Sequence, residues 1–389
     1  MTGFLAEHHL PGASLAVARD GRLVYARGFG LADPESGELV RPDSLFRIAS
    51  LSKPITAVAV FRLIEQGKLK LDDRLVDWID AQHQGRPLHP GDARLKQVTI
   101  RQLLQHRGGW DRSVSFDPMF RSVRFARELG LEPPAGPWQV ITAMWTRPLD
   151  FDPGAHYRYS NYGYCLLGRI IERASGLPYE TFVRREILEP LSIESIRMGK
   201  TLLTDRAPRE VHYKVGETVK SKVGRAVVGP DQGRMVPLPY GAWYLEAMDS
   251  HGAWIASPTD LVRFASAFDP ARYGALLNES SIKEMFARPD AGPDEASQPS
   301  YYACGWNVRD RQPRGRLTTW HTGYLDGATS IMVRRHDGLT WAVTFNSDVA
   351  SNGKSASSLI DPLLHKAANA VEEWPMKDLF EGRSDNDQK

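Results

Sequence analysis

Short apolar segments bounded by turn residues lie at both ends of the chain and predict β-strands there. Residues 13–18 and 22–29 form the first two, joined by Asp20-Gly21, a dipeptide typical of tight hairpin turns. In the last third, Asp337-Gly338 predicts a turn before the final strand. The strands predicted there are Tyr302–Val308, Leu317–His321, Thr329–Arg335 and Leu339–Asn346.

Apolar residues at helical spacing occur between these strands and once after them. One predicted helix follows Ser50 and ends near Gly67, and another begins at a Ser257 N-cap. From residue 68 to 245, short helical patterns alternate with loops rich in Pro and Gly. The clearest helix of this stretch is Tyr162–Ser175, and the other predicted helical segments of the chain are Ile55–Ile64, Thr259–Phe268 and Ser355–Ala370.

This order of elements predicts an α+β fold, with one antiparallel sheet built from both chain ends and flanked by helices. Residues 1–67 and 246–372 would form the sheet domain, and 68–245 a mostly helical inserted domain. Residues 373–389 would form a polar C-terminal tail. A cleft between two such lobes is a common place for an active site.

Composition narrows the function further. The chain has 49 basic and 47 acidic side chains and a net charge of +2, so we expect no nucleic-acid partner. No apolar run approaches the roughly 20 residues that span a bilayer, so we expect no membrane insertion. The first thirty residues lack a signal-peptide pattern, which predicts a cytoplasmic protein; a periplasmic or secreted form whose leader has been removed is the alternative. The oligomeric state stays open.

Three Ser-x-x-Lys tetrads could each place a hydroxyl and an amine one helical turn apart, the arrangement of a serine nucleophile and its base. They are Ser50/Lys53, Ser280/Lys283 and Ser351/Lys354. Only Ser50 follows a strand-like segment and opens a strongly apolar helix, where the helix dipole can stabilise an oxyanion. The other two serines have the context of a helix cap and a turn.

Two further motifs follow Ser50/Lys53 in the chain. Tyr159-Ser160-Asn161 precedes a strong helix, and His321-Thr322-Gly323 lies at the end of a strand. Taken singly, the first could be a buried Tyr beside a helix-capping Asn, and the second an ordinary strand-to-turn junction.

Together and in this order, 109 and then 162 residues apart, the three motifs resemble those of the serine β-lactamase and penicillin-binding-protein superfamily. The similarity is closest to the class C branch and its related esterases and D-stereospecific peptidases, and it extends over nearly the whole chain. The resemblance implies a β-lactamase/transpeptidase-like fold. It also implies that Ser50 forms an acyl-enzyme while Lys53 and Tyr159 move the proton, with the first base left open between them.

The same resemblance assigns the substrate-binding residues. Asn161 would hold Lys53 and contact the substrate amide, and the backbone N–H groups of Ser50 and Tyr324 would bind the oxyanion. Gly323 belongs to the strand motif beside the substrate. Trp110 either lines the acyl pocket or packs between the lobes.

One departure from the family pattern bears on the substrate. Most β-lactamases and cell-wall peptidases of the family have a lysine where this chain has His321. Because histidine is largely neutral at pH 7, we expect weaker recognition of a substrate carboxylate. The sequence therefore favours small esters or uncharged amides over β-lactams.

The leading hypothesis is a serine hydrolase that acts on a small carboxylic ester or a D-amino-acid amide or peptide. It needs no cofactor or metal, since the chain has neither a His-Glu-x-x-His zinc motif nor a phosphate-binding loop. Alternatives within the superfamily are a penicillin-binding D,D-peptidase and a weak β-lactamase. An alternative of another class is a catalytically inactive scaffold or ligand sensor that retains the fold.

Overall fold

Both ends of the chain contribute to one sheet in the computed structural model, which describes residues 1–83, 85–213, 222–269, 275–290, 295, 297–311 and 315–381. The strands, numbered β1 to β15 in chain order, are Gly12–Arg19, Arg22–Asp33, Glu38–Leu39, Phe46–Arg47, Gln82–His83, Arg86–Pro87, Arg197–Met198, Val223–Arg225, Met235–Pro237, Trp254–Ala256, Ser300–Tyr302, Asn307–Arg311, Arg316–Leu325, Ala328–Arg334 and Leu339–Phe345.

The main sheet has eight strands in the order β11-β12-β13-β14-β15-β1-β2-β3. All neighbours are antiparallel, and the N-terminal strand β1 pairs with the last strand β15, with Ala13 opposite Phe345. The hairpin between β1 and β2 turns at Asp20 and Gly21, whose φ angles of 49° and 77° are those of a tight turn with positive φ at both positions. The predicted sheet built from both chain ends is therefore present.

Eleven α-helices, α1 to α11, occur in the described part of the chain, and six of them, α3 to α8, lie between residues 68 and 245. Their bounds are Thr2–His8, Ser52–Glu65, Leu75–Trp78, Ile100–Leu104, Ser122–Glu128, Pro137–Trp145, Asn161–Ser175, Tyr179–Val183, Pro258–Ser266, Glu279–Met285 and Ala356–Asn369. No helix among the described residues is long and apolar enough to cross a membrane.

Two hydrophobic cores cover the two faces of the main sheet. On one face, Leu15 of β1 and Trp341 of β15 pack with Ile360 of α11. On the other face, Ala16 of β1 belongs to the larger core that includes α2, α7 and α9. Alternate residues of β1 thus enter different cores, as the two-residue period of a strand requires. This α+β arrangement confirms the predicted fold class.

Some predicted strand bounds were wrong. Tyr302–Val308 is not one strand, because the chain turns between β11 and β12 at Gly305, which has a φ of 85°. A Cβ at Gly305 would lie 2.6 Å from the Cβ of Ala57, so the turn packs directly on α2. The predicted strand Leu317–His321 is longer than expected and continues as β13 to Leu325.

Part of the predicted polar tail contacts the sheet. The Leu23 backbone N–H donates to Asp378 Oδ1 at 3.0 Å, and the Leu379 N–H donates to the Leu23 carbonyl at 2.8 Å. Phe380 lies under the Arg263 guanidinium, 4.1 Å from ring centroid to carbon. Residues 382–389 of that segment lie outside the described residues. The division into a sheet domain and an inserted domain stays a prediction.

Candidate active site

The backbone before Ser50 is held from both sides. Strand β4 pairs with β10, and the Ile48 N–H donates to the Trp254 carbonyl at 3.0 Å. On the opposite side, the Ile48 carbonyl accepts a hydrogen bond from Ser330 Oγ of β14 at 3.1 Å. The chain then passes through Ala49 with a φ of 48°, an uncommon conformation for a residue with a Cβ. Ser50 follows in a 3₁₀ turn that leads into α2.

Arg47 fixes the strand that leads to this turn. Its side chain is buried, 2% exposed, and forms an ion pair with the equally buried Glu210 at 3.5 Å. The guanidinium also donates to the Pro239 and Lys200 carbonyls at 2.6 and 2.7 Å. It lies 4.6 Å from the centroid of the Tyr213 ring. Arg47 therefore ties the strand before the nucleophile to the segments that carry Glu210 and Pro239.

Lys53 lies one helical turn after Ser50 with its side chain fully buried. The Nζ atom is 3.0 Å from Ser50 Oγ, 2.8 Å from Asn161 Oδ1 and 3.0 Å from the His251 carbonyl. Burial, which disfavours the ammonium form, holds the pKa of Lys53 well below its usual 10.5. The Asp117 carboxylate acts against this shift.

Tyr159 approaches Ser50 from the other side. Its phenol donates to Ser50 Oγ at 2.7 Å. The ring packs against the buried His106, with 4.3 Å between centroids, and His106 Nδ1 accepts a hydrogen bond from the Ser160 N–H at 3.2 Å. Burial raises the pKa of the Tyr159 phenol, although the hydrogen bond to Ser50 opposes the shift. The phenol is therefore protonated at neutral pH.

Asn161 is the first residue of α7, but it does not cap the helix. Ser160 is the N-cap, accepting from the Gly163 N–H at 3.2 Å, so the Asn161 side chain can turn toward the site. Its Nδ2 donates to Asp117 Oδ2 at 2.7 Å. Because a carboxylate only accepts, this contact fixes the amide orientation and directs Oδ1 at Lys53.

Strand β13 pairs with β12 as far as Trp320, and the residues of β13 that follow Trp320 border the site. Gly323 passes so close to the turn before Ser50 that a Cβ there would lie 2.1 Å from the Ile48 carbonyl oxygen. Only glycine fits this contact. The next residue, Tyr324, is half-exposed and lines the cavity beside Ser50.

His321 is a buried, neutral histidine. Its Nδ1 lies 2.7 Å from the Thr322 carbonyl, which can only accept, so Nδ1 carries the proton. The Nε2 atom is then free to accept from the Tyr302 hydroxyl at 2.9 Å. Burial and, to a lesser extent, Lys53 lower the pKa of His321 to about 3. This side chain therefore supplies no cation to the site at neutral pH.

These residues open into a cavity of about 530 Å³, large enough for a small molecule. The sequence predicted that Trp110 either lines this cavity or packs between the lobes. It lies in the core, where it is 6% exposed and packs edge-on against Tyr162, with 4.9 Å between the ring centroids. Two other residues from the following loop line the wall, Arg112 and Phe120. The lining is Ser50, Arg112, Phe120, Tyr157, Tyr159, Asn161, Tyr302, Asn307, His321, Thr322, Tyr324, Leu325 and Asp326.

A family model described as β-lactamase matches residues 1–363, most of the chain and all of this site. The chain belongs to the β-lactamase family. The predicted place in the serine β-lactamase and penicillin-binding-protein superfamily is thereby confirmed.

Relatives of this β-lactamase family member include a penicillin-binding protein and an esterase. It is 28% identical over 338 residues to penicillin-binding protein 4* of Bacillus subtilis (strain 168), covering 86% of this chain and 67% of that protein. It is 32% identical over 278 residues to esterase EstB of Burkholderia gladioli, covering 69% and 62%. The chain thus spans about two thirds of the length of these relatives.

Among solved structures, the D-amino acid amidase from Ochrobactrum anthropi SV3 has the same fold. The two share a TM-score of 0.68 with 22% sequence identity, and the match covers 95% of this chain and 97% of the amidase.

Several residues around Ser50 carried no functional signal in the sequence. His251 reaches Lys53 through a backbone carbonyl, which any residue type could supply. Asp117 precedes a proline and has the sequence context of a helix cap, a role it also fills by accepting from the Met119 N–H at 3.1 Å. Arg112 is one of many arginines. No short sequence pattern identifies these three residues, because the path of a loop brings each of them to the site.

Proposed function

We propose that this protein is a serine hydrolase that forms an acyl-enzyme at Ser50. One observation carries the proposal: Ser50 Oγ lies within hydrogen-bond distance of both the Lys53 amine, at 3.0 Å, and the Tyr159 phenol, at 2.7 Å. A serine hydroxyl is a weak nucleophile until an adjacent base takes its proton. In this site burial disfavours the charged form of the Lys53 amine, so the neutral amine can take the proton of Ser50.

The contacts of Lys53 favour it over Tyr159 as the first base. Two of its three partners, Asn161 Oδ1 and the His251 carbonyl, can only accept hydrogen bonds. A neutral amine has two N–H groups and one lone pair. If the two N–H groups go to these oxygens, the lone pair points at Ser50 and accepts its hydroxyl proton. Tyr159, whose raised pKa keeps it protonated, cannot accept a proton until it has given one away.

In acylation, Ser50 Oγ attacks the substrate carbonyl while its proton passes to Lys53 Nζ. The N–H groups of Ser50 and Tyr324 stabilise the oxyanion that forms. Tyr159 gives its proton to the leaving alcohol or amine, and the Lys53 ammonium, whose Nζ lies 4.7 Å from the centroid of the Tyr159 ring, returns a proton to the phenolate as the intermediate collapses. Deacylation runs the same transfers with water as the attacking group, ending with the acid and free Ser50.

We propose small carboxylic esters or D-amino-acid amides as substrates. The cavity volume suits a small molecule, and the names of two relatives, an esterase and a D-amino acid amidase, support these two classes. The similarity to penicillin-binding protein 4* makes a D,D-peptidase the second candidate. An inactive scaffold is disfavoured, because a protein without turnover has no chemical need for both Lys53 and Tyr159 against Ser50.

A substrate panel tests the proposal. Purified protein is assayed with p-nitrophenyl esters of rising chain length, D- and L-alanine p-nitroanilides and nitrocefin, and labelled with fluorescent penicillin. We expect turnover of a short ester or a D-anilide that is lost in Ser50→Ala. Ser280→Ala, which removes the exposed serine of another Ser-x-x-Lys tetrad, is the matched control and should keep full activity. A long-lived penicillin adduct with no ester turnover would favour the D,D-peptidase.

A further inference from the structure

Arg112 places a guanidinium on the wall of the Ser50 cavity. Its terminal carbon lies 5.2 Å from the centroid of the Tyr159 ring, and its side chain is exposed to the cavity. No carboxylate in the described part of the chain forms a salt bridge with it. Neighbouring arginines differ in this respect, since Arg107 pairs with Glu295 and Arg158 with Asp111.

The loop that carries Arg112 is fixed on both sides of it. The Asp111 N–H donates to Asp150 Oδ2 at 2.7 Å, and Asp111 Oδ1 accepts from the Ser113 N–H at 2.8 Å. Arg158 Nε donates to Asp111 Oδ2 at 2.7 Å. A rigid base of this kind lowers the entropy that Arg112 would lose on holding a ligand.

The other charged groups around the cavity already have partners. Asp326 accepts from Lys222 Nζ at 3.1 Å, and Asp117 accepts from Asn161. His321 is neutral, and Lys53 is engaged by Ser50, Asn161 and His251. Among the described residues that line the cavity, Arg112 is therefore the cation that has a free hydrogen-bonding face.

We infer that Arg112 binds a carboxylate of the substrate, so that this protein prefers small esters or amides bearing a free carboxylate near the scissile bond. A guanidinium can donate two parallel hydrogen bonds to a carboxylate. The inference rests on the proposed function and reverses the expectation, drawn from His321, that carboxylate recognition is weak. The cation comes from a different loop of the same cavity.

Two substrates of nearly equal shape test the inference: mono-p-nitrophenyl glutarate, which carries a carboxylate, and its methyl ester, which does not. We expect kcat/KM to be higher for the anion than for the methyl ester. The ratio of these two kcat/KM values should fall about tenfold to hundredfold in Arg112→Gln, the range of a charged hydrogen bond. Arg112→Lys keeps the charge and should keep part of the ratio. Arg127→Gln, which removes an exposed arginine outside the cavity lining, should leave it unchanged.

The outcomes separate this inference from the proposed function. If the methyl ester is hydrolysed in a Ser50-dependent way but the wild-type ratio is at or below one, or is unchanged in Arg112→Gln, the carboxylate role is wrong while the hydrolase assignment stands. If neither ester nor any other acyl substrate turns over through Ser50, the hydrolase assignment fails first. A gain in the ratio that disappears at high salt would support the ionic contact.

Discussion

The Tyr159 phenol oxygen lies 2.7 Å from Ser50 Oγ, although 109 residues separate the two in the chain. A second phenol, that of Tyr157, lines the same cavity, but its ring packs against Tyr302 with 5.6 Å between centroids. The rings of Tyr157 and Tyr159 both pack against His106 and Tyr302, and the fold brings the phenol of Tyr159 to the nucleophile.

Replacing Tyr159 by Phe removes the hydroxyl and leaves the ring packing in place. If the phenol transfers a proton in both half-reactions, Tyr159→Phe should lower kcat/KM by about 10²- to 10⁴-fold on an activated ester. Tyr157→Phe is the matched control, and we expect less than about a tenfold change. Equal losses in the two variants would mean that the phenol of Tyr159 has no special part in the chemistry.

The base assignment predicts a pH profile. A lowered pKa means that Lys53 is neutral over a range where a free lysine is charged, so activity should persist well below pH 10.5. It should be lost as the pH falls through the pKa of Lys53 in the folded protein. Because Asp117 favours the ammonium form, Asp117→Asn should move this acidic limb of kcat/KM to lower pH.

Asp326→Asn is the comparison for the pH experiment, since Asp326 lines the cavity but is paired with Lys222. We expect its acidic limb to coincide with that of the wild type. A limb that moves to higher pH in Asp117→Asn would contradict the role given to Lys53.

The close approach of β13 to the nucleophile turn predicts the effect of Gly323→Ala. The new methyl group would meet the Ile48 carbonyl and Ser330 Oγ at 2.1 and 2.3 Å, so strand and turn must separate. We expect a loss of about 1–3 kcal/mol in the free energy of unfolding and a larger loss of kcat. Gly3→Ala, where no atom lies within 4 Å, should change the denaturant midpoint little.

The buried Arg47–Glu210 pair predicts a stability effect away from the substrate. Glu210→Ala would leave the Arg47 guanidinium buried without its carboxylate, which typically costs about 3–5 kcal/mol. Glu180→Ala breaks the exposed pair with Arg184 and should cost less than about 1 kcal/mol. Urea denaturation of both variants checks this. Similar urea midpoints for Glu210→Ala and Glu180→Ala would show that the buried Arg47 guanidinium does not need the Glu210 carboxylate for stability.

Local spacing predicted the parts of this molecule that depend on neighbours in sequence. Asp20-Gly21 indicated the first hairpin, and the Ser50/Lys53 spacing follows from one helical turn. The motif order, read through the family resemblance, indicated that Tyr159 and Asn161 belong with them. The contacts with His251 and Asp117 could not be predicted, because they depend on tertiary packing. Tertiary packing also explains why Trp110 lies in the core while Arg112, two residues later on the same loop, lines the cavity. The path of the backbone decides which of the two side chains faces the cavity.

The most direct test of Ser50 as the nucleophile is to find which side chain a serine-directed fluorophosphonate modifies. The labelled protein is digested, and the modified peptide is identified by tandem mass spectrometry in the wild type, Ser50→Ala and Ser280→Ala. We predict one adduct, on Ser50, that is present in the wild type and Ser280→Ala and absent in Ser50→Ala. An adduct that persists in Ser50→Ala, or that maps to another side chain in the wild type, would contradict the assignment of Ser50 as the nucleophile.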